Sequence, residues 1–265
     1  MITIVIPARN EQFLQQTIQS LFDNAKGEIE IIAVLDGYWP EPPLREDPRL
    51  ILIHRGKPLG MRNAINSAVQ IAHGEYIMKL DAHCMLDEAF DIKLLQMYEE
   101  NTVVIPRRKR LDAENWCILE DGRIPIDYEY LSRELHGKPW NSRAKERMNI
   151  MIDVNMSFQG SCWFMSKAYF EFLELMDEET YGSFAQEAQE ISFKAWLSGG
   201  KVLINKNTWY AHLHKGAKYG RGYPLNKSTV SIGEEAIKKW ARDEMDWSKK
   251  IHNFQWLIDK FNPPE

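Results

Sequence analysis

Short apolar runs alternate with amphipathic segments along the first third of the chain. The runs predict strands at residues 2–6, 29–35, 50–53 and 76–80, and the last of these is predicted to be a buried parallel strand. Residues 12–24 and 60–72 carry apolar side chains at helical spacing, which predicts two amphipathic helices. Strands that alternate with helices in this order form a mostly parallel sheet with right-handed crossovers. We therefore predict an α/β fold, with a Rossmann-like, mostly parallel sheet and flanking helices.

The remainder of the chain shows the same signals in a less regular order. It predicts helices at 86–100 and 166–173, a helix ended by Gly199-Gly200, and strands at 103–105 and 201–204. The Asp121-Gly122 pair between residues 116–120 and 123–128 predicts a β-hairpin. Residues 232–261 look helical, with tryptophans at a spacing that indicates packing. We predict a domain over 1–230 and a C-terminal helical extension over 231–265 packed on it.

Polar side chains follow the fourth predicted strand. Asp81 comes directly after the apolar run and His83 lies two positions further on. Ligands bind at the carboxyl ends of the strands in an open α/β sheet, and residues two apart in extended chain point the same way. Mixed oxygen and nitrogen ligands suit Mn²⁺ or another first-row ion better than Ca²⁺. By itself this pair leaves two interpretations open, a metal site or an Asp that caps the next helix.

Two more strand ends carry polar groups at the same predicted edge. Pro7-Ala8-Arg9 follows the first strand, and Asp36 follows the second. An Asp at this position can accept a hydrogen bond from a ribose hydroxyl or a base N–H. Asp36-Gly37 is also the composition of an ordinary turn, so the nucleotide interpretation depends on the three strand ends together.

Composition narrows the class of protein only slightly. The 265 residues are 44% hydrophobic with a net charge of −5, which fits one large domain or a domain with an appendage. No apolar run is long enough to predict a transmembrane segment. The three cysteines do not form a disulfide framework, which favours a reducing compartment. We therefore predict a cytoplasmic protein, or one in the host cytoplasm if its source is a virus.

Several motifs together resemble the nucleotide-sugar glycosyltransferases of the GT-A fold, in the large family-2-like group. They are residues 7–11, Asp36, residues 60–64, residues 79–84 and residues 184–200. Asp81-Ala82-His83-Cys84 is especially similar to the metal motif of the polypeptide N-acetylgalactosaminyltransferases, which has His where most relatives have a second Asp. The Glu-rich turn and helix that end in Gly199-Gly200 resemble the second signature of the same enzymes.

The resemblance implies a GT-A fold and transfer of a sugar from a nucleotide donor, a UDP-sugar, with Mn²⁺ or Mg²⁺ as cofactor. The implied metal ligands are Asp81, His83 and His212, and the implied catalytic residues are Glu187 and Glu190. The implied donor-binding residues are Pro7, Ala8, Arg9, Asp36, Arg62, Lys79, Asp81, Gly160, Lys215, Tyr219 and Arg221. The alternative explanation is that Glu187 and Glu190 are solvated acids in the first turn of a helix, where the helix dipole stabilises them.

One position departs from the pattern of the resembled enzymes. Inverting relatives carry an Asp that acts as general base where this chain has Ala188, and the retaining N-acetylgalactosaminyltransferases carry Asn there. Alanine offers no base, so retention of configuration is favoured. Glu187 or Glu190 could substitute as base, and inversion would then result.

Two basic segments bear on the acceptor. Residues 107–110 are four consecutive cations, and residues 201–230 contain six Lys or Arg and no acid. A run of this kind is commonly a solvated face, but it also suits a phosphate-rich acceptor. The acceptor is predicted to be a glycan, a protein or hydroxymethylated DNA of the phage type. A non-catalytic nucleotide-sugar-binding protein is the alternative of another class.

Overall fold

A computed structural model describes residues 1–264 of the chain. The strands are β1 (Ile2–Ala8), β2 (Ile29–Asp36), β3 (Leu50–Arg55), β4 (Tyr76–Leu80), β5 (Cys84–Leu86), β6 (Thr102–Asp112), β7 (Cys117–Ile118), β8 (Glu129–Leu131), β9 (Gly137–Pro139), β10 (Ile152–Val154), β11 (Cys162–Ser166) and β12 (Lys201–His212). The helices are α1 (Leu14–Asn24), α2 (Met61–Ile71), α3 (Phe90–Gln96), α4 (Asn141–Glu146), α5 (Lys167–Phe172), α6 (Glu178–Tyr181), α7 (Glu187–Leu197), α8 (Gly216–Tyr219), α9 (Lys227–Ala241) and α10 (Phe254–Phe261).

One large sheet organises the molecule. Its strand order is β10-β12-β6-β11-β4-β1-β2-β3, with β5 added beside β12 and β7 beside β6. The neighbours β4-β1-β2-β3 are all parallel, as are β6 and β12, whereas β11 runs antiparallel between β4 and β6. Strands β8 and β9 form a separate small hairpin. The predicted mostly parallel α/β sheet with flanking helices is confirmed.

Helices cover both faces of the sheet, so its central strands are apolar along their length. All eight residues of β2 are buried. Ile32 and Val34 pack with α2 on one face, while Ile31 and Ala33 pack with α1 on the other. In a strand that is buried on both faces, apolar and polar residues do not alternate. The central strands could therefore be predicted from continuous apolar runs.

The sheet beyond β4 differs from the prediction. The helix predicted at 86–100 is shorter, because strand β5 comes first and Ala89 takes a left-handed conformation (φ 56°) immediately before α3. The strands predicted at 103–105 and 201–204 extend to Asp112 and His212 and pair with each other in parallel. The C-terminal halves of both strands carry polar residues, so a search for apolar runs does not predict them.

The hairpin predicted around Asp121-Gly122 is wrong. Ile118 pairs with Leu111, and Ile126 forms a bridge with Arg108, so both segments contact β6 instead of each other. The turn residues are present, but the open edges of a long neighbouring strand provide the hydrogen-bond partners.

The C-terminal segment is two helices, α9 and α10, instead of the continuous helical stretch predicted over 232–261. Both lie against α7: Phe193 contacts Trp240 and Phe254 edge to face, and Trp196 contacts Phe261 in the same way. Trp240 is buried, as its predicted packing role requires. Helix α9 begins at Lys227 and therefore crosses the predicted boundary at residue 230. Within residues 1–264, no helix combines the length and the apolar character that a membrane crossing needs.

Candidate active site

A cavity of about 990 Å³ opens at the carboxyl ends of β1, β2 and β4. The start of α7 forms one wall, and the segment after β12 forms another. Of the predicted site residues, those that line the cavity are Pro7, Ala8, Arg9, Asp36, Lys79, Asp81, His83, Gly160, Glu187, His212, Lys215 and Arg221. The structure therefore brings together residues from six separate parts of the sequence at the edge where an α/β sheet binds ligands.

The three predicted metal ligands converge on one point. The Nε2 atoms of His83 and His212 are 3.1 Å apart, and His212 Nε2 lies 3.2 Å from Asp81 Oδ2. One ligand atom from each residue lies within 4.8 Å of the other two. One carboxylate oxygen and two imidazole nitrogens at this spacing can coordinate a single divalent ion.

Backbone pairing places these ligands. Asp81 N donates to Ser161 O at 2.8 Å immediately after β4 ends, and Leu213 N donates to His83 O at 3.1 Å. Strand β5 pairs with the end of β12, which sets Cys84 opposite His212. The position of His212 therefore depends on a short strand that no apolar run revealed.

Burial and neighbouring charges shift the pKa values of Asp81 and His212 in the direction that metal binding needs. Burial would raise the pKa of Asp81, but the Lys79 ammonium and the two histidines outweigh it and hold the pKa well below its ordinary value. Burial lowers the pKa of His212 to about 4, although its hydrogen bond to Asp81 opposes this change. At neutral pH the site thus presents an ionised carboxylate and a neutral imidazole.

Glu11 sets the orientation of His83. Its Oε2 lies 3.1 Å from His83 Nδ1, and Lys215 Nζ donates to both of its oxygens at 2.7 and 2.9 Å. Burial would raise the pKa of Glu11, but His83 and Lys215 keep it below its ordinary value. An ionised carboxylate at Nδ1 favours the tautomer with N–H at Nδ1 and a free lone pair on Nε2, the atom that faces Asp81 and His212.

Glu187 is held rigidly beside Gly160. Trp163 Nε1 donates to its Oε1 at 2.7 Å, and Lys79 Nζ lies 3.3 Å from its Oε2. A Cβ on residue 160 would stand 2.8 Å from Glu187 Oε2, so only glycine admits this carboxylate. Burial raises the pKa of Glu187, with the Lys79 charge acting against it.

Lys79 lines the cavity, but its three donors are taken. Besides Glu187, its ammonium donates to Asp81 Oδ1 and Gly160 O, each at 2.6 Å. Burial would lower its pKa, but the Asp81 and Glu187 carboxylates raise it above the ordinary value. Lys79 therefore acts on the site through the two carboxylates that it orients.

Arg62 and Glu190 lie behind the cavity wall, which differs from their predicted roles in donor binding and catalysis. Both side chains are 0% exposed, and Arg62 Nη2 donates to Glu190 Oε2 at 2.9 Å. Lys194 Nζ and Asp177 N hold the second oxygen of Glu190, at 3.0 and 3.2 Å. The physical reason is the burial of α7 on all sides: one turn further along the helix than Glu187, Glu190 meets buried partners instead of the open cavity.

The nucleoside end of the cavity is formed by residues 7–9 and Asp36. Asp36 accepts hydrogen bonds from Leu59 N at 2.8 Å and Gly60 N at 2.9 Å, and Arg55 lies 3.1 Å from its Oδ1. Asp36 therefore fixes the entry into α2 while it lines the cavity. Among residues 1–264, Gly60 N is the one hydrogen-bond partner of Asp36 Oδ2, which leaves a lone pair for a further donor.

The basic segment after β12 covers the cavity with internally paired cations. Arg221 lies over the Phe184 ring at 5.0 Å, and Arg9 lies over the Tyr223 ring at 4.2 Å. Tyr219, predicted to bind the donor, packs edge to face on Phe13 and is not among the lining residues. Tyr223 lines the cavity instead, and the sequence pattern did not distinguish the two tyrosines.

The four-cation run at 107–110 is also paired. Arg107 donates two hydrogen bonds to the Asp127 carboxylate, both at 2.8 Å, and Arg108 donates to Glu129 at 3.1 Å. Lys109 lies over the Trp209 ring at 4.6 Å. Arg110 donates to Ile124 O at 3.1 Å. The run is therefore neither a free solvated face nor a row of unpaired cations.

Some cavity residues had no role in the sequence analysis, and among them are Arg108, Glu129 and Gln189. Arg108 belongs to the basic run, and Glu129 begins the short strand β8, which carries no motif. Only the pairing of β6 with its neighbours brings the two into the cavity wall.

Comparison with known proteins agrees with this geometry. Residues 3–173 match the family described as glycosyl transferase family 2. Polypeptide N-acetylgalactosaminyltransferase 12 of Mus musculus is 26% identical over 246 residues, which cover 85% of this chain and 42% of that protein. The uncharacterized glycosyltransferase EpsJ of Bacillus subtilis (strain 168) is 30% identical over 207 residues, which cover 68% of this chain and 60% of that protein. The chain thus spans about half the length of such curated relatives.

Solved structures share the fold at low sequence identity. GalNAc-T7 with UDP, GalNAc and Mn²⁺ matches with a TM-score of 0.77 and 18% identity, covering 92% of this chain and 49% of that one. S. aureus TarS 1-349 in complex with UDP-GlcNAc matches with a TM-score of 0.56 and 12% identity, covering 87% and 64%. These likenesses confirm the predicted GT-A fold. Because the family match covers more than half of its length, this chain belongs to glycosyl transferase family 2.

Proposed function

We propose that this protein transfers a sugar from a UDP-sugar to an acceptor hydroxyl, with Mn²⁺ or Mg²⁺ as cofactor. The observation that carries the proposal is the convergence of Asp81, His83 and His212 in the wall of a cavity of about 990 Å³. That volume lies at the upper end of the range for small-molecule sites, which suits a ligand as large as a nucleotide sugar. The GalNAc-T7 structure that shares this fold contains UDP, GalNAc and Mn²⁺.

The residues present fit a divalent metal ion. The donor set is one carboxylate and two imidazoles, and Glu11 orients His83 through its other ring nitrogen. Asp81, His83 and His212 would hold the ion, which would offset the charge that develops on the departing diphosphate.

The remaining cavity residues lie at two ends of the cavity, one for each part of the donor. Asp36 and residues 7–9 line the end that would receive the nucleoside, and Gly160 with Glu187 lines the end that would receive the sugar. Lys215 and Arg221 lie above the cavity, where cations would contact the diphosphate. These roles follow from position and charge.

We further propose that transfer retains the anomeric configuration. Residue 188 is alanine, Glu190 is sealed in its ion pair, and Glu187 already accepts from Trp163 and contacts Lys79. Because Ala188 cannot act as a base and both of these glutamates are engaged, the acceptor oxygen would bond to the anomeric carbon on the face that the diphosphate leaves. The departing diphosphate oxygen, which takes the electron pair of the broken bond, is then the nearest acceptor for the hydroxyl proton.

A donor screen tests the proposal directly. Thermal shifts are measured with UDP-, GDP- and dTDP-sugars, each with and without Mn²⁺, and turnover is then measured with the donor that stabilises most. We expect a metal-dependent shift for a UDP-sugar and release of UDP. Binding without any turnover would favour the alternative of a non-catalytic nucleotide-sugar binder, and no shift with any donor would contradict the proposal.

The acceptor is proposed to be a glycan or a protein. The basic run no longer supports a phosphate-rich acceptor such as hydroxymethylated DNA, because Arg107, Arg108 and Arg110 have partners within the protein. The cytoplasmic location stays a prediction.

A further inference from the structure

Arg108, Glu129 and Gln189 form a polar group in the cavity wall that the metal and donor residues leave unexplained; we call it the Glu129 cluster. Arg108 Nη2 donates to Glu129 Oε1 at 3.1 Å. Glu129 Oε2 would lie 2.8 Å from a Cβ on Gly137, and Gln189 Nε2 would lie 3.5 Å from the same point. Glu129 and Gln189 therefore meet over one glycine, and Arg108 joins them through its hydrogen bond to Glu129.

The cluster is a built site. Glu129 is only 6% exposed, and burial raises its pKa although the Arg108 charge opposes this. Its backbone is fixed on both sides, because Glu129 N donates to Asn155 Oδ1 at 3.1 Å and Ser157 N donates to Glu129 O at 3.2 Å. A buried carboxylate with one oxygen engaged by a side chain costs free energy unless a further donor reaches the other oxygen.

The cluster lies beside the reacting end of the cavity. Gln189 follows Glu187 by two residues on α7, and Arg108 pairs in register with Tyr210, two residues before His212. The separation along β12 is about 7 Å at the usual strand rise. The nucleoside residues come from β1 and β2, several strands away in the sheet. A molecule held at the cluster would therefore be close to the sugar end of the donor.

The chemistry of the cluster favours hydroxyl groups. A carboxylate accepts hydrogen bonds, a guanidinium donates them, and an amide does both, which matches neighbouring hydroxyls that each donate and accept. The Arg108–Glu129 pair carries no net charge, so a phosphate would face the carboxylate and an ammonium would face the guanidinium. We propose that Arg108, Glu129 and Gln189 form an acceptor subsite for an uncharged, polyhydroxylated sugar. This proposal rests on the proposed glycosyl transfer.

The test compares acceptors and variants with the UDP-sugar that gives the largest thermal shift. The probes are the neutral disaccharides lactose, cellobiose and maltose, a threonine-rich peptide, and glucose 6-phosphate. We expect transfer to at least one disaccharide, and Glu129→Gln should raise the KM for that acceptor about 10-fold or more while the KM for the donor changes far less. Gln189→Ala should show the same split and covers the case in which Glu129→Gln does not fold.

The control variant is Glu114→Gln, whose carboxylate pairs with Lys218 on the surface and does not line the cavity. It should leave both KM values unchanged. Preference for the peptide or the sugar phosphate would overturn the proposal, as would an unchanged acceptor KM in folded Glu129→Gln and Gln189→Ala. A wild-type protein that releases no UDP from any donor would instead contradict the proposed function, so the two failures can be told apart.

Discussion

The Nε2 atoms of His83 and His212 face each other at 3.1 Å, although 129 residues separate them in the sequence. Two lone pairs at that distance repel unless a proton or a cation lies between them. Glu11 sits on the opposite nitrogen of His83, which directs the His83 lone pair toward His212. The arrangement thus suits a cation between the two rings, and the first two predictions concern that proposed cation.

Removing one ligand should abolish metal binding without unfolding the protein. His212→Ala deletes a side chain at the cavity wall, so we expect a cooperative unfolding transition but no Mn²⁺ binding by calorimetry. EDTA should remove the activity of the wild-type protein, and Mn²⁺ should restore it. His252→Ala is the control, because His252 stacks on Trp256 away from the cavity. Full activity in chelator would rule out the three-ligand site.

Glu11→Gln should weaken metal binding without removing a ligand. The amide keeps the size of the side chain but loses the charge that favours the Nδ1–H tautomer of His83, and such changes typically cost about 10- to 100-fold in metal affinity. Titration with Mn²⁺ followed by electron paramagnetic resonance measures this affinity. Unchanged affinity would show that Glu11 serves Lys215 alone.

Gly160→Ala should displace Glu187. The new Cβ would stand 2.8 Å from Glu187 Oε2 and 3.1 Å from its Cδ. Overpacking of this kind typically costs about 1–3 kcal/mol, and the shifted carboxylate should weaken donor binding. Gly56→Ala is the matched control, because a Cβ there meets nothing within 4 Å. Calorimetric unfolding and donor titration check both variants, and normal donor affinity in Gly160→Ala would show that Glu187 does not contact the donor.

Substitution of Glu187 should affect catalysis, whereas substitution of Glu190 should affect the stability of the fold. Glu190→Gln leaves Arg62 and Lys194 buried without their counter-charge, so we expect a loss of about 3–5 kcal/mol in unfolding free energy. Glu187→Gln keeps an acceptor for Trp163 and leaves Asp81 beside Lys79, so its main effect should be on kcat, by about 10²-fold. Denaturant unfolding and steady-state kinetics distinguish them, and the reverse pattern would restore Glu190 as a catalytic residue.

The product should retain the configuration of the donor. Proton NMR of the anomeric signal early in the reaction reports this before mutarotation or hydrolysis intervenes. An inverted product would mean that a carboxylate acts as base, and Glu187 would then be the first candidate because it lines the cavity.

The sequence alone determined the parts of this protein that depend on local pattern. The strands β1, β2 and β4 are apolar because helices cover both of their faces, and polar residues such as Asp36 and Asp81 stand where these strands end. Family motifs then identified Gly160, Glu187 and His212 before any geometry was known. The strands and their ends can be predicted because a buried strand is a run of consecutive apolar residues and its end is marked by polar ones.

Only the tertiary structure decided which polar side chains reach the cavity. Arg62 and Glu190 carry the right chemistry but are sealed together, whereas Arg108 and Glu129 carry no motif and line the wall. This difference arises because β6 and β12 extend into polar sequence. The pairing of these two distant strands determines their register and the direction in which each side chain points. Long-range pairing leaves no local periodicity. Family motifs pointed to the three candidate metal ligands, whereas no motif pointed to Arg108 and Glu129.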